Sequence, residues 1–336
     1  MEENKTLSAD AFTPATGDHA EEESRQYVNR SYWQDVFATF RANRAAMLAA
    51  VFILIIILAA IVAPMLSHYS YREVEAAYSN LPPRIPGLEK LGIFNGCTKG
   101  VNMYAQKNCL DQYHYFGTDN LGRDIWTRVW QGTRISLFIA LVAVLIDLFI
   151  GVLYGLVSGY YGGRTDIIMQ RITEVLSSLP TIVIITLMLV VMKPGLKNII
   201  IAMLITGWIN MSRIVRAQVL KLKDQEFVLA ARTLGVRPGR ILLYEILPNS
   251  LGQIIITFMF SIPNAIFTEA FLAFIGLGVQ APQASLGTMI NDGYNAALTY
   301  PYQVVAPVVV LALLMLSFNL CADGLREAID PQMKAM

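Results

Sequence analysis

Long stretches without a single charge constrain this chain more than any other feature. Residues 45–66, Ala45 to Leu66, hold no Asp, Glu, Lys or Arg. A helix needs about 20 apolar residues to cross the hydrocarbon of a bilayer. Five further stretches read the same way: Arg134 to Arg164 (interrupted by Asp147), Glu174 to Lys193, Lys197 to Arg213, Glu245 to Glu269, and Asp292 to Asp323. The fourth is short, but flanking Lys and Arg side chains reach the interface along their aliphatic stems. Only 15% of residues are charged against 55% hydrophobic, whereas soluble domains carry about 25% charged residues. The pattern predicts an all-α membrane protein of six transmembrane helices.

The short loops orient it. Between the fourth and fifth spans lie Arg213, Arg216, Lys221, Lys223, Arg232, Arg237 and Arg240, and between Ala270 and Asn291 there is no Lys or Arg. The first loop is therefore expected in the cytoplasm, the second outside, and both termini inside. Residues 67–134 form a long external loop. The net charge of +1 carries no nucleic-acid footprint. The first span starts too far in to be a cleavable signal peptide. Residues 1–28 are polar and acidic and read as a disordered cytoplasmic tail. Over 29–44, Trp33, Val36, Phe37 and Phe40 fall on one helical face, which fits an interfacial helix or a plain extension of the first span. Residues 45–336 then make the six-span domain.

A cytoplasmic loop as long as 213–248 needs a reason. Asp224 can cap a short helix, and Gly235 can end it. Phe227, Ala230, Ala231 and Leu234 share a face kept low by the two alanines, with Arg232 beside it. Such a helix is either a lever gripped by another protein or a seat for the bundle. Asp147 inside the second span is either a proton-relay acid or a helix-packing group. Arg171 and Glu174 are spaced to pair. Pro180 would kink the third span, and it joins Met259 and Pro263 as pore or gate candidates. Cys97 and Cys109 in the external loop are either free thiols or a bridge contributing about 3 kcal/mol. The uncharged segment 270–291 cannot be one helix across Gly276-Leu277-Gly278. It is either a vestibule wall or a loop packed on the bundle.

Ala230-Ala231, Gly235 and Leu247-Pro248 resemble the EAA loop of ATP-binding-cassette importer permeases, with Leu229 where the family often has Glu and Glu245 at an Ile position. The stretches Phe116–Asp124, Gly132–Leu137, Gly159–Gly163, Glu269–Val279 and Phe318–Pro331 resemble, in order, the oligopeptide and dipeptide permeases, and the second of their two subunits. The resemblance implies the type I importer permease (MetI-like) fold, with the short helix between Asp224 and Gly235 as the coupling helix. It implies as partners a homologous second permease, two ATPase subunits, an external peptide-binding protein and the lipid bilayer. It also implies location in a bacterial cell membrane. The chain has no G-x-x-x-x-G-K-[ST] loop. It is therefore expected to be no enzyme and to bind no cofactor, with ATP hydrolysed by the partners. A nickel, haem or glycoside importer shares these motifs. A secondary transporter using Asp147 or Glu174 needs no ATPase. A membrane enzyme finds no constellation in the scattered His19, His68 and His114.

Overall fold

A computed structural model describes residues 32–98 and 100–329. The expected tail 1–28 and the start of the interfacial helix lie outside the described residues. Helix α1 (Tyr32–Ala42) is followed by α2 (Arg44–Leu66), the first span. Asn43 breaks the chain between them. Its side-chain oxygen accepts from the Ala46 N–H at 3.1 Å, which caps α2. Its amide donates to Glu327 Oε2 at 2.7 Å, tying the first span to the end of the last. Val36 of α1 is buried with Ile256, Ala328 and Ile329, so α1 leans on the bundle rather than extending α2.

A lobe of short turns follows, between α2 and the next long helix. It contains a hairpin of two-residue strands, β1 (Cys97–Thr98) and β2 (Val101–Asn102). This is the one β element among the described residues of an otherwise helical chain. Cys97 is exposed and Cys109 is buried, each a free cysteine in this structure. Buried Tyr104 donates to the Pro82 carbonyl at 2.9 Å. Burial holds its phenol well above the ordinary value, which keeps it a neutral donor.

The second span is α3 (Ile125–Tyr161), nine residues earlier than its charge pattern suggests. Asp124 caps it by accepting from the Thr127 N–H at 2.8 Å. Arg134, expected to mark the membrane boundary, lies inside the helix for a specific reason. Pro64 in α2 has no N–H, so the Ala60 carbonyl loses its helical donor. Arg134 Nε donates to that carbonyl, and Nη2 donates to the Ile61 carbonyl at 2.5 Å. Arg134→Leu is expected to cost about 1.5–3 kcal/mol, the range for hydrogen bonds from a charged donor. The cost should shrink in a Pro64→Ala background, where the backbone donor returns. Thermal unfolding of the two single variants and the double variant in detergent reads that coupling directly; additive shifts would refute it.

The third span is broken more sharply than a kink. Helices α4 (Gly163–Ser177) and α5 (Thr181–Met192) meet at 75° with Pro180 between them. The fourth is also split, into α6 (Leu196–Met203) and α7 (Trp208–Leu222), and α7 runs nine residues past Arg213. After α8 (Glu226–Thr233), Pro238–Arg240 and a wide turn at Ile241–Ile246 lead into α9 (Leu247–Leu272). Pro248 lacks the donor that a regular preceding turn would need, and the wide turn accommodates it. Gly276, at φ +89°, then ends the helical path, as its sequence suggests. Asp292 does not open the sixth span. It belongs to a separate helix, α10 (Leu286–Ala296), and the span is α11 (Tyr302–Ile329). Among the described residues, five helices are long and apolar enough to cross a membrane, or six when the bent α4–α5 pair counts as one span.

One packing feature positions the rest. Gly151, Gly155 and Gly159 recur every fourth residue on α3 and face α7. A methyl group on Gly155 would lie 2.5 Å from the Ser212 carbonyl oxygen. Small residues at this spacing let two backbones touch inside a bilayer. The α3–α7 pair is therefore a rigid rod leading to α8.

Candidate functional site

Helix α8 hangs from the end of α7 by three residues, Lys223–Gln225. Gln225 rather than Asp224 occupies its cap, and no side chain caps the start. Its end is firm. Gly235 stands at φ +74°, and the Val236 N–H donates to the Ala231 carbonyl at 3.1 Å. Most of the 213–248 loop is thus helix, with short joints on either side of α8.

The two faces of α8 differ. Val228 is fully buried and Ala231 nearly so, packed with Leu156, Val219, Ile241, Leu242 and Ile246. These residues come from α3, α7 and the turn leading into α9. The Arg232 guanidinium sits over the Tyr160 ring of α3, 5.0 Å from its centroid. Phe227, Ala230 and Leu234 point away from the body, Leu234 with 82% of its surface exposed. The sequence expectation placed Ala231 with the outward group. The structure turns it inward and adds Val228, which the sequence reading did not single out.

Behind α8, charged groups clamp three helices. Arg216 of α7 donates to both oxygens of Asp166 in α4, each at 2.6 Å. Ser158 of α3 donates to the same carboxylate at 2.5 Å. Arg213 donates to Ser177 Oγ at 2.6 Å. These contacts tie α4 to the α3–α7 pair against which α8 packs. Arg171 and Glu174 pair at 2.7 Å in solvent, as their spacing suggests.

The other singled-out residues lie apart from this cluster. Pro180 is exposed at the α4–α5 corner, while Pro263 is buried inside α9 and Met259 is half-buried against the main core. Asp147 lies against Gly207 where α7 begins, and a methyl at Gly207 would meet Oδ2 at 2.0 Å. Its other oxygen has no hydrogen-bond partner among the described residues. Glu269 is fully buried and accepts from Ser136 Oγ at 2.8 Å. The same Ser136 oxygen accepts from the Leu286 N–H at 3.3 Å, which joins α3, α9 and the start of α10. At the Ile125 end of α3, Asp119 binds Arg123 and Arg128, each at 2.7 Å, and His114 contacts Asp124 at 2.8 Å. The Phe116–Asp124 stretch thus caps α3 and knits the lobe of turns to it. Sequence reading gave Asp119, Asp124 and Glu269 no individual role, because Arg128, His114 and Ser136 reach them only in the folded chain.

The chain is thus a bundle of long apolar helices with a short, half-buried helix, α8, between the fourth and fifth spans. The family model of the binding-protein-dependent transport system inner membrane component matches residues 151–335. That of the N-terminal TM domain of oligopeptide transport permease C matches residues 31–83. The chain is 43% identical to the oligopeptide transport system permease protein OppC of Bacillus subtilis, over 98% of this chain and 99% of that one. It is 41% identical to the dipeptide transport system permease protein DppC of the same organism, over 94% and 90%. It is 35% identical to OppC of Escherichia coli K12, over 92% and 94%. An inward-facing structure of the MetNI methionine ABC transporter aligns with 60% of this chain and 96% of that one, at a TM-score of 0.50 and 19% identity. The chain belongs to the family of binding-protein-dependent transport system inner membrane components, and it is an integral membrane protein of the ABC importer permease fold.

Proposed function

We propose that this chain forms half of the translocation pathway of an ATP-driven peptide importer and that α8 is its coupling helix. The observation that carries this reading is the asymmetry of α8. Val228, Ala231 and Arg232 fasten it to α3, α7 and the turn leading into α9, while Phe227, Ala230 and Leu234 offer an exposed outer face ended by Gly235. A partner that grips this face moves α3, α7 and the entry to α9 as one body. The partners are a homologous second permease, two ATPase subunits and an external peptide-binding protein, all in or at the bilayer. This chain binds no cofactor, and ATP is hydrolysed by the ATPases. The basic 213–248 segment and both termini face the cytoplasm. The exposed Pro180 corner, Met259 and Pro263 are the gate candidates. The names of the oligopeptide and dipeptide relatives favour peptides over nickel, haem or glycosides.

Reconstitution with the partner subunits and binding protein tests this. Tripeptide uptake should require ATP, and it should persist when the proton gradient is collapsed. Uptake of nickel, haem or a glycoside in place of peptide would move the substrate class. Uptake driven by a proton gradient without ATPases would overturn the coupling role.

A further inference from the structure

Between α1, α7, α9 and α11 lies a polar cavity of about 810 Å³ that no part of the mechanism above uses. Lys221 and Arg326 line it, together with Gln218 and Gln253. Among the described residues, neither cation has an acidic partner, and neither glutamine side chain has a hydrogen bond. Lys221, Arg326 and Gln253 are exposed and Gln218 is half-buried, so the cavity presents two water-accessible cations and two free amides to one open space. The rim of the cavity is aromatic. Tyr32 and Trp33 of α1 line it, and both are half-exposed, as Phe37 is one turn on. Tyr and Trp concentrate at the headgroup level of membranes. An amphipathic helix such as α1 rests with its apolar side at the acyl boundary.

We propose that this cavity holds the phosphate group of an anionic glycerophospholipid from the cytoplasmic leaflet. Lys221 and Arg326 neutralise the phosphodiester. Gln218 and Gln253 have the donors and acceptors to meet a polar headgroup such as glycerol. Trp33 and Tyr32 flank the glycerol backbone at the rim. Basic pockets between spanning helices on the cytoplasmic side recognise anionic headgroups by this chemistry. The leaflet rests on the orientation proposed above; the anion site itself does not.

The test uses the complete transporter complex in nanodiscs of phosphatidylcholine with a minority of phosphatidylglycerol, read by native mass spectrometry. The wild-type complex should retain phosphatidylglycerol selectively. Lys221→Gln and Arg326→Gln should each weaken retention about five-fold, and the pair about 30-fold. Lys221→Arg and Arg326→Lys, which keep the charges, should restore retention, separating loss of the site from loss of the fold. Equal retention in the wild type and the double Gln variant would overturn the site. Inorganic phosphate displacing the lipid, with phosphate adducts in its place, would assign the cavity to free phosphate and overturn the lipid. Retention is read whether or not the complex moves peptide. Failure of the transport reading therefore leaves a distinct signature, with lipid bound and no uptake.

Discussion

Ala230→Glu should abolish ATP-driven uptake while the permease still inserts and unfolds at an unchanged temperature. Ala230 lies on the outer face of α8 between Phe227 and Leu234, and its small side chain lets another surface come close. A carboxylate there would be buried without a partner when an ATPase docks. An uncompensated charge of this kind costs about 3–5 kcal/mol, a hundred-fold or greater loss of the docked state. The isolated permease leaves the same position in water, so its own stability should not change. Val228→Glu makes the contrast. That side chain is fully buried against α3, α7 and the turn before α9, so the same charge should destabilise the isolated protein as well. Uptake and thermal unfolding measured on both variants separate a docking face from a seating face. Normal uptake with Ala230→Glu would leave α8 as a seat for the bundle.

Gly155→Leu should be the most damaging substitution in the membrane region. Its first added carbon would lie 2.5 Å from the Ser212 carbonyl and 2.7 Å from Val215 Cβ. Neither backbone can yield without parting α3 from α7. Overpacking costs about 1–3 kcal/mol where side chains can adjust, and here part of the obstacle is main chain. The unfolding temperature should fall, and uptake should fall further, because the rod that carries α8 is wedged open. Gly155→Ala should show a smaller loss of the same kind. An unchanged unfolding temperature with Leu would mean that the two helices do not pack along this stripe.

The sequence showed where the chain is apolar but not where its helices end. Residues 45–66 could be read directly because nothing polar interrupts them, and α2 departs from that range by one residue. Elsewhere a charge does not mark where a helix begins. Arg134 misleads because its guanidinium is consumed inside the bundle by carbonyls of α2, a need created by Pro64 far away in sequence. Asp292 misleads because it faces Arg123 and Arg128 at 3.8 and 3.6 Å and belongs to a separate helix, α10. Pro180 was legible as a disturbance, but the 75° turn depends on where α4 lies, which local sequence does not encode. At the end of α8, Gly235 was legible because only a left-handed residue suits that stop. The inward role of Val228 and Ala231 was not legible. An apolar face alone does not say whether it meets its own chain or another. The Gly151, Gly155 and Gly159 stripe was available in the sequence through its four-residue spacing, a signal that charge-gap counting passes over.

The central claim is that the outer face of α8 meets an ATPase. A photoreactive benzoylphenylalanine in place of Leu234, the most exposed residue of that face, tests it in the assembled complex. Irradiation should give an adduct with an ATPase subunit, and the same probe at Tyr244, exposed in the wide turn before α9, should give much less. Adducts with lipid or the second permease alone, in a complex that still transports, would contradict the account.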